Sequence, residues 1–305
     1  MNEVNLEVKV GNLRLKNPVM LASGTVGYGD EISEFINLSA IGAIVTKSIS
    51  LKPRIGNPPE RIAETSSGML NAIGLANIGL ERFINEKVPN LEKLNSTVIC
   101  NIAASTFEEY KTCVEELTNI DSIKAFEINV SCPNVKDGGL SFGNNLSSVR
   151  KITNLLRPIS SKPLIIKLSP NTANIAEFAA AVKNEGADAV SAINTLVGSA
   201  FNIYTRKPKI KNITGGLSGP AIKPVALAKV LEISRNVDIP IIGIGGISNW
   251  EDAVEFLIAG ASAIQIGTAN FINPKVSEEV IKGLYKFCNS QNIESISELT
   301  ASYQL

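Results

Sequence analysis

The sequence predicts an α/β fold, a (β/α)8 TIM barrel with an N-terminal β-hairpin and long loop insertions on its active face. Eight short apolar runs recur along the chain, and several of them are followed by a stretch with helical periodicity. Runs that are apolar throughout are typical of parallel strands covered on both faces. Eight such units in 305 residues favour a closed barrel over an open sheet, because a barrel of this kind needs about 250 residues.

The elements follow in order. Leu6–Val10 and Leu13–Leu15, around Gly11-Asn12, are typical of a hairpin, which we expect to plug the bottom of the barrel. The predicted strands are Val19–Ala22, Ala43–Thr46, Val98–Ile102, Ala125–Asn129, Leu164–Leu168, Ala189–Ile193, Ile241–Gly243 and Ala263–Ile266. The predicted helices are Glu108–Thr118, Ser147–Leu156, Ile175–Glu185, Ala221–Arg235 and Trp250–Ala259. No repeat, low-complexity tract or linker divides the chain, so residues 1–305 are interpreted as one domain.

Three connections exceed the roughly two to six residues that are usual for a strand-to-helix loop. They are Ser48–Ile78, Ser131–Asn145 and Asn194–Gly219, and each follows the end of a predicted strand. The loops at that end build the active face of a barrel, so we interpret these three as walls and lids over a site. Surface decoration is the alternative interpretation.

Composition excludes several classes of function. The 29 basic residues balance 29 acidic ones without a basic stripe, so we expect no nucleic-acid binding. No apolar run approaches the roughly 18 residues that span a bilayer, and the first ten residues lack a signal-peptide pattern. We therefore expect a cytoplasmic protein without a membrane segment. The chain has no histidine and its four cysteines match no metal-binding spacing, so no metal site is predicted.

Glycine clusters follow the last two predicted strands, at 242–247 and 266–269, and a third lies at 215–220 before a predicted helix. Glycine lets backbone N–H groups approach a phosphate closely, and a helix N-terminus adds positive potential. One glycine pair alone also serves a tight turn. Three clusters at neighbouring strand ends favour a phosphate-bearing ligand.

Polar residues stand at the ends of several predicted strands, where a purely structural strand stays apolar. Lys47, Asn101, Asn129, Lys167 and the pair Asn194-Thr195 occupy such positions on five strands. Each of them alone is also explained as a solvated strand terminus. Together they indicate a ring of lysines and amides around the barrel mouth, which suits a planar heterocycle with carbonyl groups plus an anion. A lysine near the N1 region of a flavin stabilises the negative charge of its reduced form.

Cys132 opens the long loop after Asn129, at the predicted active face. A free cysteine is more often a small buried hydrophobe than a catalyst, and we expect that role for Cys100 and Cys113, with Cys288 on a terminal helix. In a chain without histidine, a thiol is a candidate base close to neutral pH. Position alone leaves both roles open for Cys132.

The segment Asn129-Val-Ser-Cys-Pro-Asn-Val-Lys136 resembles class 1 dihydroorotate dehydrogenases, and the similarity runs from about Leu6 to Leu284. Further motifs match in order: Lys47-Ser48, Gly56–Pro59, Ser67–Leu75, Ile193–Thr195, Thr205–Pro208 and Gly215–Pro224. The segments 71–75 and 215–224 are more similar to the NAD-linked class 1B branch than to the fumarate-using class 1A branch.

The resemblance implies bound FMN and the oxidation of (S)-dihydroorotate to orotate in de novo pyrimidine (UMP) biosynthesis. It implies Cys132 as the base for the C5 proton, with hydride transfer from C6 to FMN N5. The implied FMN contacts are Ser23, Lys47, Ser48, Asn101, Asn129, Lys167, Ile193, Gly219, Gly245, Gly246, Gly267 and Thr268. The implied substrate contacts are Lys47, Asn71, Ala72, Ile73, Gly74, Leu75, Asn129, Asn194 and Thr195.

The class 1B resemblance also implies a homodimer within a heterotetramer, whose second subunit carries FAD and a [2Fe–2S] cluster and relays electrons to NAD+. This chain lacks both clustered cysteines and a nicotinamide-binding Gly-x-Gly-x-x-Gly after a strand, so such a partner must supply that path. The segment Gly198–Tyr204 is less charged than the family pattern. The alternatives are a class 1A enzyme reducing fumarate, a phosphosugar isomerase or aldolase with a Schiff base on Lys167, and a flavin-binding scaffold without turnover.

Overall fold

Strands and helices alternate along the chain as the sequence predicts. The computed structural model describes residues 4–130 and 145–304. Its strands, in chain order, are β1 (Val8–Val10), β2 (Leu13–Leu15), β3 (Val19–Leu21), β4 (Ala43–Val45), β5 (Ile62–Thr65), β6 (Gly68–Asn71), β7 (Thr97–Ile102), β8 (Ile123–Asn129), β9 (Leu164–Lys167), β10 (Ala189–Ala192), β11 (Leu196–Ser199), β12 (Phe201–Asn202), β13 (Lys207–Pro208), β14 (Thr214–Ser218), β15 (Ile241–Ile244) and β16 (Ala263–Ile266).

The α-helices are α1 (Leu80–Arg82), α2 (Val88–Leu91), α3 (Phe107–Leu117), α4 (Leu146–Leu156), α5 (Ile175–Asn184), α6 (Lys223–Asn236), α7 (Trp250–Ile258), α8 (Ala269–Ile272) and α9 (Val276–Ser290). Several of them begin where a polar side chain accepts a hydrogen bond from the first turn. Thr106 caps α3, Asn145 caps α4 and Asn249 caps α7 in this way. The helix starts are therefore encoded locally, which explains why the sequence predicts them well.

The parallel strands close into a barrel, in the order β10-β15-β16-β3-β4-β7-β8-β9. The predicted (β/α)8 barrel is thus confirmed, and the strand bounds differ from the predicted ones by at most two residues. Closure is made by β16 and β3, which pair from Ile264↔Val19 to Ile266↔Leu21. Because these strands are parallel, their carboxyl ends meet at one mouth of the barrel.

Most residues on both faces of the barrel strands are apolar and buried. All three residues of β3 and all three residues of β4 are fully buried, and so is Phe126 on β8. Truncating a fully buried aromatic residue of this kind costs about 3–5 kcal/mol of stability. The strands therefore hold the mouth as a rigid frame for side chains that project from their ends.

The N-terminal hairpin of β1 and β2 lies at the bottom of the barrel, as expected. Alternate residues are buried, with Val8 facing the core and Lys9 facing solvent. At its turn, Gly11 has φ +58°, and a Cβ there would lie 3.2 Å from the carbonyl oxygen of Asp188. Asp188 immediately precedes β10, which places the turn at the amino ends of the barrel strands.

Two of the connections predicted as irregular loops instead build a second sheet. The connection after β4 supplies β5 and β6, the one after β10 supplies β11 and β14, and the four strands lie in the order β11-β14-β6-β5. At its centre Gly216 pairs with Asn71. The sequence does not reveal this sheet, because its two halves are short and far apart in the chain. The interpretation of these connections as walls at the active face agrees with this sheet.

The segment that departs from the family pattern forms a small protruding hairpin of β12 and β13. Its turn exposes Ile203 and Tyr204, whose exposed fractions are 78% and 90%. None of the residues between β12 and β13 belongs to the implied site. Among the described residues, no helix has both the length and the hydropathy needed to cross a membrane.

Candidate active site

Three glycine-rich segments meet at the ends of β15 and β16. Gly246 follows β15 with φ +76°, and a Cβ there would lie 2.9 Å from the carbonyl oxygen of Gly219. Thr268 follows β16, and its hydroxyl donates a hydrogen bond of 2.8 Å to the hydroxyl of Ser218. The fold therefore brings together the three clusters that the sequence singles out. Gly245, with φ +133°, lies next to this contact.

The backbone beside this junction has room for a ligand. A Cβ on Gly267 would meet nothing closer than the Ala22 Cβ at 3.6 Å, and a Cβ on Gly24 would meet nothing within 4 Å. Ser23 lies between Ala22 and Gly24 in the sequence, just after the end of β3. Both glycines leave open space next to backbone amides, which is the arrangement that accommodates a phosphate. We call Gly219, Gly245, Gly246, Gly267 and Thr268 the glycine cradle.

A connected set of polar side chains lies inside the barrel below the mouth. The Ser48 hydroxyl donates to Asn101 Oδ1 at 2.6 Å, and Asn101 Nδ2 donates to Glu127 Oε1 at 2.6 Å. Lys167, at the end of β9, lies 3.3 Å from the same carboxylate oxygen. Ser48, Asn101 and Lys167 are sequence-predicted site residues, and they are brought into one network.

Glu127 is the member of this network that the sequence analysis missed. It is fully buried in β8, in register with Asn101 on β7. The sequence did indicate this residue, because Glu127 is a single charged residue in an otherwise apolar stretch, two positions before Asn129. Side chains two apart on a strand share one face, so Glu127 lies on the same face as Asn129.

A second set of amides lies at the mouth. The Asn194 side chain donates from Nδ2 to Asn129 Oδ1 at 3.2 Å. The backbone N–H of Thr195 donates to Asn194 Oδ1 at 2.8 Å. The Tyr110 hydroxyl donates to the carbonyl oxygen of Asn129 at 2.7 Å. These bonds fix the orientation of both amides, so that the ends of β8 and β10 present a defined polar edge.

The segment 71–75 joins this edge through the second sheet. Asn71 Nδ2 donates to the carbonyl oxygen of Gly216 at 3.3 Å. A Cβ on Gly216 would lie 2.1 Å from the hydroxyl oxygen of Thr195, so Gly216 is in direct contact with Thr195. Asn71, Thr195 and Asn194 therefore lie along one side of the mouth.

The rest of this segment is held by Asn57. The Asn57 side chain donates a hydrogen bond to the carbonyl oxygen of Ala72 at 2.8 Å. The Asn57 backbone N–H donates to the carbonyl oxygen of Ile73 at 2.9 Å. Gly74 has φ +75°, and a Cβ there would lie 2.7 Å from the Asn57 nitrogen. Leu75 follows in a left-handed conformation with φ +56°. This turn depends on close backbone packing that a side chain at Gly74 would prevent.

Lys47 and Ile193 complete the described site residues. Lys47 lines one cavity together with residues 76–78, directly after the segment 71–75. Its backbone N–H donates to the Gly27 carbonyl oxygen at 2.7 Å. Ile193 follows β10, and its backbone N–H donates to the carbonyl oxygen of Ile244 at 2.9 Å, next to the glycine cradle.

Three of the four cysteines are core residues, as expected for Cys100 and Cys113, and Cys288 lies on the terminal helix α9. Cys100, Cys113 and Cys288 are fully buried. Burial raises the pKa of the Cys100 thiol to about 12, and burial likewise raises that of Cys113 to about 12, so neither thiol is a base near neutral pH. Cys132, the predicted catalytic base, lies outside the described residues. Within residues 4–130 and 145–304, no cluster of carboxylates and cysteines is arranged to hold a metal ion.

The fold and the site define a (β/α)8-barrel protein with a polar mouth and a glycine cradle at β15 and β16, an arrangement that suits a phosphate-bearing ligand. Residues 5–288 match the family model described as dihydroorotate dehydrogenase. The chain belongs to the dihydroorotate dehydrogenase family.

Similarity to individual relatives covers the whole chain. It is 48% identical over 305 residues, all of both chains, to a protein of Geotalea daltonii named dihydroorotate dehydrogenase B (NAD(+)), catalytic subunit. It is 50% identical over 302 residues, 99% of this chain and 100% of the relative, to the protein of that name from Thermoanaerobacter sp. strain X514. A Parabacteroides distasonis relative of the same name is 50% identical over 300 residues, 98% of each chain.

Proposed function

We propose that this protein oxidises (S)-dihydroorotate to orotate with bound FMN, in de novo pyrimidine biosynthesis, as the catalytic subunit of an NAD-linked enzyme. The observation that carries the proposal is the convergence of the glycine cradle and the two amide networks at one barrel mouth. In a chain of this family, each part of that mouth corresponds to one part of the cofactor or the substrate.

The described residues fit FMN. Within the glycine cradle, the position of a Cβ on Gly267 is open, and the close packing of Gly219, Gly245 and Gly246 holds the neighbouring backbone where we assign the phosphate. Lys167 and Asn101 offer a cation and an amide to the ring, and Ser23, Lys47, Ser48, Asn129 and Ile193 surround the remainder. When bound, FMN would supply the two-electron acceptor that the oxidation of a C–C bond to C=C requires.

The amides at the mouth are assigned to dihydroorotate. Asn129, Asn194 and Thr195 have donors and acceptors that match the carbonyl and N–H groups of the dihydropyrimidine ring. Lys47 lines a cavity with residues 76–78, directly after the turn 71–75 whose Asn71 contacts Gly216, and we assign the substrate carboxylate to this side. The hydrogen bond between Asn194 and Asn129 holds both amides in place before substrate arrives, so binding orders fewer groups.

Cys132 is proposed as the base. It follows Asn129, the last residue of β8, by three positions in the sequence. A thiolate there removes the proton from C5 while the C6 hydrogen leaves as hydride, so that two C–H bonds break and one C=C bond forms. Serine in its place is a far weaker base.

The electron acceptor is assigned to NAD+, reached through a partner subunit that carries FAD and a [2Fe–2S] cluster, in a heterotetramer built on a dimer of this chain. The support is the name of the relatives, each of which is called a catalytic subunit of an NAD(+) enzyme. The test is to purify this chain alone and with its co-expressed partner, and to count flavin and iron in each. We expect dihydroorotate–NAD+ activity only with the partner. Brisk reduction of fumarate by the lone chain would instead assign it to the class 1A alternative.

The Schiff-base alternative is disfavoured by the partner of Lys167. Its amine lies 3.3 Å from the fully buried Glu127 carboxylate, and an ammonium in an ion pair is not a nucleophile. Borohydride trapping of a sugar phosphate on Lys167 would contradict this argument, whereas a purified protein with a flavin spectrum supports the proposed function.

A further inference from the structure

The Glu127 carboxylate is the hub of the polar network inside the barrel. Its Oε1 accepts hydrogen bonds from Asn101 at 2.6 Å and from Lys167 at 3.3 Å. Its Oε2 accepts from Ser191 at 2.9 Å and from Gln265 at 2.7 Å. The four donors come from four different strands, β7, β9, β10 and β16. One side chain thus connects half of the barrel strands just below the mouth.

This arrangement suits the ionised form of Glu127. A carboxylate has about four lone-pair positions, and donors occupy all four. Asn101, Lys167 and Gln265 each present N–H groups to the carboxylate, and the Ser191 hydroxyl is the one of these four partners that can also accept. The negative charge of Glu127 therefore belongs to the native barrel, with Lys167 as the cationic member of its four donors.

Stability alone does not explain this pair. Both side chains are nearly or fully buried, at 8% and 0% exposed, and removing two charges from water costs several kcal/mol for each ion. Well-packed apolar residues of similar volume are often equally stable or more stable than such a pair. Buried charges of this kind mark a site where the charge has a use.

The neighbours of Glu127 indicate that use. Asn101 and Lys167 contact it directly, and Ser48 contacts Asn101. All three are assigned to FMN above. Glu127 itself lies one layer deeper, at 0% exposed, and it reaches the mouth only through these residues.

Resting on the proposed binding of FMN, we infer that Glu127 is a positioning residue that holds the Lys167 ammonium at the mouth and, by offsetting part of its charge, sets the midpoint potential of the flavin. A cation beside a flavin favours the reduced form, which carries more negative charge. An anion behind that cation weakens the field that the flavin experiences. The pair thus tunes the potential to a value below that set by an unpaired lysine.

Glu127→Gln tests the inference, because it removes the charge and keeps the shape. We expect the purified FMN-loaded variant to have a higher midpoint potential than the wild type, in an anaerobic titration against a redox dye without substrate. A tenfold gain in affinity for reduced over oxidised FMN corresponds to about 30 mV for this two-electron couple. An unchanged or lower potential overturns the inference.

A double-mutant cycle separates charge from packing. Lys167→Gln removes the cation and is expected to lower the potential. Because Glu127 acts through Lys167, adding Glu127→Gln to Lys167→Gln is expected to raise the potential by less than Glu127→Gln raises it in the wild type, and an equal rise in both backgrounds contradicts the inference. The double variant contains no unpaired buried charge and remains measurable if a single variant fails to fold. Its potential is expected to lie below that of the wild type, because the cation is nearer to the mouth than the anion, and an equal or higher potential contradicts the inference.

A matched control is the ion pair of Arg157 and Asp188, with an N–O distance of 2.6 Å at the bottom of the barrel. Asp188→Asn also removes one carboxylate charge from a barrel ion pair, and it should leave the flavin potential unchanged.

The flavin content of the wild-type protein is measured first. A colourless wild type contradicts the proposed function, whereas a yellow wild type with an unshifted Glu127→Gln potential contradicts the role of Glu127 alone.

Discussion

The Asn194 side chain donates a hydrogen bond to the Asn129 side chain at 3.2 Å, and this bond joins the ends of β8 and β10 across the intervening β9. The Asn194 amide then has a fixed orientation, because its side-chain oxygen Oδ1 accepts a hydrogen bond from the backbone N–H of Thr195. Two amides with fixed donors and acceptors recognise a ring with alternating carbonyl and N–H groups at a small entropic cost.

Asn194→Ala is expected to raise the KM for dihydroorotate by about threefold to tenfold, since one net hydrogen bond is worth about 0.5–1.5 kcal/mol. Steady-state kinetics with the purified enzyme measures this change. Asn154→Ala is the control, because Asn154 is an exposed asparagine on α4 that donates to Glu185. Equal KM values for Asn194→Ala and the wild type would remove Asn194 from the substrate site.

Gly267→Ala is expected to weaken FMN binding about tenfold or more without lowering the stability of the fold. The added Cβ meets no protein atom closer than 3.6 Å, so it occupies space that we assign to the phosphate. Fluorescence titration of the deflavinated protein with FMN measures the Kd, and urea unfolding measures the stability.

Gly11→Ala should show the opposite pattern, because Gly11 has φ +58° at the bottom of the barrel. The strain of a left-handed alanine costs about 1–2 kcal/mol of stability, and the FMN Kd should be unchanged. If both variants lose FMN affinity equally, the glycine cradle is not the phosphate site.

Cys132→Ser is expected to leave FMN bound and to slow flavin reduction by dihydroorotate about 100-fold or more at neutral pH, since a positioned general base contributes about 10²–10⁴-fold. Stopped-flow absorbance of the flavin measures the rate. Cys113→Ala is the matched control, because burial raises the pKa of that thiol to about 12 and removes it from proton transfer. Near-normal reduction in Cys132→Ser would exclude the thiol as the base.

The stability of the native state depends on the ionisation of Tyr28 at alkaline pH. Burial raises the pKa of its phenol from 10.0 to about 12, the hydrogen bond from the Ile78 N–H partly opposes this rise, and the charge of Glu31 adds to it. A group with a raised pKa in the folded state contributes stability that is fully present below pH 10 and is lost as the pH rises towards about 12.

Tyr28→Phe should therefore lose less stability than the wild type between pH 10 and 12, by on the order of 2 kcal/mol. Urea unfolding across this pH range measures the difference, and ultraviolet titration of the phenolates should lose one late step in the variant. Parallel stability curves for the two proteins would show that Tyr28 titrates alike in the folded and unfolded chains.

The sequence by itself determined the barrel, the order of its strands along the chain and most of the residues that lie at its mouth. Apolar runs such as Ala43–Val45 have no other stable environment than a covered parallel sheet, and caps such as Asn249 specify helix starts locally. Polar residues at strand ends, such as Lys167 and Asn129, were identifiable because they interrupt that apolar pattern.

Only the tertiary structure decided which distant segments meet. The pairing of Asn71 with Gly216 builds the second sheet from strands too short to be recognised alone, and the contact of Gly246 with Gly219 assembles the glycine cradle. The role of Glu127 was hidden for the same physical reason. A buried charge is tolerated only where its partners converge in space, and the four donors of Glu127 lie on four separate strands.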